Sequence, residues 1–189
     1  HLNAEGQQQA AALAERLAKA PIQRLYSSPL ERTVETAEAI RAYHSELDVR
    51  VLEALGEVRV GDWQGEELKV VSQLPVWKVV QQNPSRFTFP NGESFRQAQA
   101  RAVDAIEDLA VAHPEETVVV VSHADIIKLV LAHFLGMALD SFQRIVIAPA
   151  SISVLALTES TPFVGAVNDI AHLRGLEPLP DQPAAEGGK

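Results

Sequence analysis

Residues 117–125 run Thr117-Val118-Val119-Val120-Val121-Ser122-His123-Ala124-Asp125. Thr117 to Val121 is a continuous β-branched run. Such runs form strands buried on both faces, as in a parallel sheet. Ile126 to Leu135 follows at once as an apolar helix, ended by Gly136. A strand that passes directly into a helix sets Ser122 and His123 at its carboxyl end. Open parallel sheets bind their ligands at that edge.

A second strand-to-helix junction lies upstream. Ile22 to Tyr26 is a short strand, and Ser28-Pro29-Leu30-Glu31 opens a helix. Ser28 is placed to cap, Pro29 suits the first helical position, and Glu31 completes a capping box. Leu30, Val34, Ala37 and Ile40 supply the apolar face. Arg32 then lies just inside one helix and His123 just before another, so both face a common crevice. Each helix start also offers free N–H groups and a positive dipole end, which favour an anion.

The rest of the chain fits the same plan. Residues 3–19 form a helix capped by Asn3, with Ala10, Leu13 and Leu17 at helical spacing. Val49 to Leu52 is a strand, and residues 53–92 are mixed, with short helices between Gly and Pro. Asn91-Gly92 breaks the chain before a long helix through Ala112 that carries Phe95, Ala98, Ala102, Ile106 and Leu109 on one face. Strands are expected at about Arg144–Ile147, Ser151–Leu157 and Phe163–Asn168. Strands alternating with helices predict a three-layer α/β/α sandwich with a mostly parallel central sheet. One domain is expected over residues 1–176, followed by a disordered Pro/Gly/Ala-rich tail at 177–189.

Composition excludes several classes. The 189 residues carry a net charge of −9, which argues against a nucleic-acid or anionic-membrane surface. An anionic ligand must find a local basic pocket. With no Cys there is no disulfide, thiolate zinc site or cysteine nucleophile, and a cytoplasmic location is expected. No stretch reaches the roughly 18 apolar residues of a membrane span. Ser122 lacks the Gly-x-Ser-x-Gly context of a hydrolase nucleophile. His44, His113, His133 and His172 show no metal-ligand spacing. Trp63 and Trp77 are read as packing groups.

Six segments, in order, resemble the histidine-phosphatase (phosphoglycerate-mutase-like) superfamily. They are Leu2 to Ala10 with Gly6 and Gln9, Ser27 to Ala37, Glu57 to Gly65, Asn91 to Ser94, Val120 to His123, and Val167 to Leu173. The resemblance implies phosphomonoester hydrolysis through a phosphohistidine. Arg32 and His123 would then hold the transferring phosphoryl group, helped by the Ala124 N–H. Glu57 would serve as general acid and base, with Glu53 as its nearby competitor. No metal or cofactor is required. The partner expected is a small phosphorylated metabolite, and oligomeric state is open, a homodimer included.

The family's nucleophile sits in an Arg-His-Gly motif, and no such triplet occurs here. Its usual place is a strand upstream of Leu2, near the middle of the sheet. The reading is therefore of an N-terminally incomplete copy, with the first strand absent and the chain as given inactive. His1 is a poor substitute, since Leu2 rather than Gly follows it. Mutase relatives follow the acid with Arg and place Tyr before the Gly, where this chain has Val58 and Val60. Phosphatase is therefore preferred to a mutase-type phosphotransferase. A non-catalytic phosphate-binding or scaffold protein is the alternative from another class. Ala124-Asp125 replaces the Gly-Gly of many relatives.

Overall fold

The computed structural model describes residues 1–158 and 161–176. The tail expected at 177–189 lies outside the described residues. In chain order the elements are α1 (Ala4–Leu17), β1 (Arg24–Ser27), α2 (Glu31–Arg41), β2 (Val49–Val51), α3 (Leu68–Val71), α4 (Trp77–Gln82), α5 (Phe95–Ala112), β3 (Val118–Val121), α6 (Ala124–Phe134), β4 (Ile152–Ala156) and β5 (Phe163–Asp169). Short 3₁₀ turns at Glu53–Leu55, Gly61–Trp63, Pro84–Arg86, Leu139–Arg144 and Ala171–Leu173 link them.

β1 is the middle of a parallel three-stranded sheet in the order β2-β1-β3. Period-two alternation along the strands sorts side chains between two helical layers. Leu25, Val119 and Val121 join Leu13 and Ala14 of α1 and Ala37 and Ile40 of α2. Tyr26, Val118 and Val120 turn instead toward Leu109 of α5. The largest cluster lies between α5 and α6 and includes Phe95, Ala102, Ile126, Leu129 and Phe142. Helices thus cover both faces of the parallel sheet.

Several boundaries follow the local chemistry that the sequence predicts. The Asn3 side chain accepts the Gly6 N–H and starts α1. Ser94 and Gln97 close a capping box at the start of α5. The apolar stripe on α5 is buried at Phe95, Ala98, Ala102 and Leu109. Among the described residues no helix is long and apolar enough to cross a membrane.

Three expectations need correction. Ser28 and Glu31 form no capping box: α2 begins at Glu31, with Leu30 as a cap that makes no side-chain bond. The Ser28 hydroxyl bonds His123 at 2.6 Å and accepts the Leu30 N–H at 3.3 Å, one residue short of the helix. Arg144–Ile147 is not a strand; Arg144 ends a 3₁₀ turn and the next residues have no ladder partner among the described residues. Ile145 and Ile147 pack on the α5/α6 cluster while Val146 is exposed, so their β-branched shape serves packing without pairing. Finally, all four residues of β3 are only half-buried. Among the described residues one edge of β3 has no ladder partner, and β4 pairs only with β5, antiparallel. Ile152 of β4 borders the same apolar cluster as Val119 and Val121.

Candidate active site

Two adjacent strands end side by side. Ser27 of β1 is in register with Val121 of β3, and the Ser28 N–H donates to the Val121 carbonyl at 2.9 Å. The chain then delivers Ser28 and Arg32 from one strand end and His123 from the other, at the carboxyl edge of the sheet. Arg32 Nη2 donates to His123 Nδ1 at 2.9 Å. Glu57 Oε2 lies 3.8 Å from that same Nδ1 and 3.9 Å from Arg32 Nη2. The guanidinium, the imidazole and the carboxyl group therefore meet at one spot. Ala124 opens α6, so its N–H has no intrahelical acceptor and stays available there.

The contacts fix the state of His123. An arginine has only donors, so Nδ1 must accept and the ring proton sits on Nε2. Nε2 donates to the fully buried Ser28 Oγ at 2.6 Å. Burial, with the Arg32 and Arg101 charges, holds the His123 pKa down to about 4. The ring is neutral at pH 7, with its lone pair turned toward Arg32. Glu57 is shifted the other way. Burial raises its pKa and the Asp125 charge adds to this, while the Val58 N–H, Arg32 and Arg101 oppose it. A carboxyl group held above its ordinary value is suited to giving up a proton near neutral pH.

The loop carrying Glu57 is stitched to a second loop. Glu93 N donates to Arg59 O, Arg59 N donates to Glu93 Oε1, and Asp62 N donates to Pro90 O, each at 2.9 Å. The backbones come so close that a Cβ on Gly61 would lie 2.0 Å from Pro90 O, and one on Gly92 would lie 2.2 Å from Arg59 O. Gly61 also has φ +54°, which glycine adopts without strain. Beneath the two loops Glu93 and Arg101 form an ion pair at 2.6 Å, with side chains only 9% and 17% exposed. Burial raises the Glu93 pKa, but the Arg101 and Arg59 hydrogen bonds outweigh it and leave the group below its ordinary value. Glu93→Ala should cost about 3–5 kcal/mol of folding stability in chemical denaturation, since it strands a buried guanidinium. A loss under about 1 kcal/mol, the scale of a surface pair, would contradict this.

Of the residues predicted for the site, Arg32, His123 and Glu57 come together with the Ala124 helix start beside them. Glu53, the competitor of Glu57, is exposed on its 3₁₀ turn. His1 is elsewhere: its amino group meets Glu31 and its Nδ1 meets Glu35, on an exposed side chain. Trp63 stacks among Trp77, Phe87 and Phe89 and packs on the core. Sequence reasoning missed Ser28 as the partner of His123 and gave Arg101 no part. A serine before Pro reads equally well as a cap. An arginine inside a helix carries no local signal of its partners.

A parallel sheet flanked by helices, with an arginine, a histidine and a glutamate gathered at its carboxyl edge, defines the class as an α/β protein. The chain belongs to the histidine phosphatase superfamily, branch 1, whose family model matches residues 1–170. Phosphoserine phosphatase 1 of Hydrogenobacter thermophilus is 30% identical over 174 residues, covering 91% of this chain and 82% of that protein. The solved structure of YhfR from Bacillus stearothermophilus aligns with a TM-score of 0.86 at 27% identity, over 91% of this chain and 86% of its own. Mycobacterial glucosyl-3-phosphoglycerate phosphatase in complex with inorganic phosphate aligns with a TM-score of 0.80 at 27% identity, over 90% of this chain and 88% of its own. The first and third of these relatives are phosphatases by name.

Proposed function

We propose that this protein hydrolyses phosphomonoesters through a phosphohistidine, with the attacking imidazole on an Arg-His-Gly strand seated between β3 and β4. The observation that carries this reading is the meeting of Arg32, His123 and Glu57, at separations of 2.9, 3.8 and 3.9 Å. The edges of β3 and β4 that have no ladder partner among the described residues, and that border one apolar cluster, support the position of the strand. Residues 1–176 act as one domain in this reading. Small phosphorylated metabolites are the substrate class, and the relatives' names point to phosphoserine and phosphoglycerate esters.

The chemistry follows from the groups present. The imidazole nitrogen attacks phosphorus, the ester P–O bond breaks, and the Glu57 carboxyl gives its proton to the leaving oxygen. A water then loses a proton to the Glu57 carboxylate and attacks phosphorus, and the P–N bond breaks to release phosphate. Splitting one displacement in two lowers each barrier. Arg32 and His123 hold the equatorial oxygens, where negative charge spreads in transfer. Val58 and Val60 stand where mutase relatives carry Arg and Tyr, which favours water as the acceptor.

A phosphoryl oxygen cannot accept from the lone pair on His123 Nδ1. Anion binding therefore displaces Arg32 from that nitrogen and recruits a proton to it, because a nearby anion raises an imidazole pKa. Sulfate, a dianion throughout the range, is expected to bind Glu57→Gln more tightly as the pH falls from about 8 to about 6. Calorimetry in buffers of different ionisation enthalpy should show proton uptake approaching one. No uptake, with pH-independent affinity, would contradict it.

The direct test of function is the covalent intermediate. With the Arg-His-Gly strand in place, a labelled phosphomonoester should give an acid-labile phosphoprotein and free phosphate. The 189 residues alone should bind phosphate without turnover. Tight phosphate binding with no phosphoprotein, even with the strand present, would favour a non-catalytic binder.

A further inference from the structure

The Glu93–Arg101 ion pair lies outside the phosphate contacts, yet almost every bond it makes reaches the loop that carries Glu57. Arg101 Nη1 donates to Ala54 O at 2.6 Å, and Arg101 Nη2 donates to Glu57 O at 3.0 Å. Its Nε and Nη2 also bind the two oxygens of Glu93, at 3.0 and 2.6 Å. Glu93 Oε1 in turn accepts the Arg59 N–H at 2.9 Å. One guanidinium and one carboxylate therefore hold the backbone at 54, 57 and 59, on both sides of the proposed acid. Both side chains are largely shielded from water, where such bonds are stiff.

We propose that Arg101 and Glu93 are a positioning pair that fixes both the place and the proton affinity of Glu57. The inference rests on the reading of Glu57 as general acid and base. A planar fork that spans two carbonyls and a carboxylate sets the loop more tightly than an ammonium would. The charges facing Glu57 are Arg32 from α2, Arg101 from α5 and Asp125 at the start of α6, with the neutral His123 imidazole beside them and Glu93 acting through Arg101. Arg101 favours the Glu57 carboxylate, and Glu93 offsets part of that charge. The two members of the pair therefore push Glu57 in opposite directions.

That opposition gives a readout that mere support of the fold would not produce. Carboxyl-labelled NMR on the chain should show the Glu57 titration moving to higher pH in Arg101→Met and to lower pH in Glu93→Gln. Arg101→Lys keeps the charge, so its titration should stay near the parent value. With the Arg-His-Gly strand in place, Arg101→Met and Arg101→Lys should each lower kcat about 10²-fold, the scale of a 1 Å misplacement, with KM changed less than about threefold. If Arg101→Met does not fold, Arg101→Lys and Glu93→Gln still decide the matter by kcat and titration.

Movement of the Glu57 titration in the same direction in every folded variant would overturn the proposal. So would an unmoved titration with kcat within about threefold of the parent, whatever the melting temperature does. Glu57→Gln separates this failure from failure of the underlying reading. A Glu57→Gln variant that keeps full kcat removes the acid assignment itself. One that loses kcat while the Arg101 variants keep it removes only the positioning pair.

Discussion

Replacing Arg32 with alanine is expected to lower kcat about 10²–10³-fold in the strand-bearing protein, the usual scale for losing one donor to a transition state. Two effects combine. Arg32 supplies a fixed cation where phosphoryl charge develops, and it is also the donor that faces His123 Nδ1 at 2.9 Å in the free site. Its loss removes a phosphate contact and also one cause of the low His123 pKa. Phosphate affinity should fall with it, because the half-exposed Arg32 guanidinium lies 2.9 Å from His123 Nδ1 and 3.9 Å from the Glu57 carboxylate. Arg32→Lys should recover only part of the rate, since a point charge does not reproduce the planar fork. Steady-state kinetics with a phosphomonoester, beside phosphate titration, measures both effects. A drop in kcat under about threefold would take Arg32 out of the chemistry.

Glu57→Gln is expected to lower kcat about 10²–10⁴-fold while leaving phosphate binding intact or tighter. The amide keeps the shape but neither gives nor takes the proton. Removing a carboxylate 3.8 Å from His123 Nδ1 also relieves repulsion of the anion. The sign of the pH dependence follows from the raised Glu57 pKa. The leaving group needs the protonated acid, so kcat/KM falls as the pH rises through that pKa. Hydrolysis of the intermediate needs the carboxylate, so that step slows as the pH falls through it. Glu57→Gln should lose the alkaline limb of kcat/KM. Burst kinetics across pH would check this, and a mutant profile that keeps the limb would assign it to another group.

Much of the site was legible because two local patterns each end at a strand terminus. The run at Val118–Val121 and the short strand before Ser28 are neighbours in register, so the residues that follow them had to emerge together. That geometry brought Arg32 and His123 to one edge although they are 91 positions apart. Glu57 was legible only through its family context, since nothing local ties a loop carboxyl to a distant histidine. Ser28 was misread for a physical reason: its hydroxyl accepts the Leu30 N–H just before the helix and also meets the buried imidazole, and only the first use has a local signal. Arg101 was invisible because its partners lie at 54, 57 and 93, brought together by the packing of α5 under two loops. The Arg144–Ile147 run failed as a strand because β-branched residues report a fit to a packed surface, and here that surface is the α5/α6 cluster.

A structure solved with orthovanadate or inorganic phosphate bound to the chain decides whether Arg32, His123 and Glu57 share one anion. One anion is expected, with oxygens within about 3 Å of the Arg32 guanidinium, His123 Nδ1 and the Ala124 N–H, and the Glu57 carboxyl facing its open side. An anion held anywhere else, with Arg32 still bonded to His123 Nδ1, would contradict it.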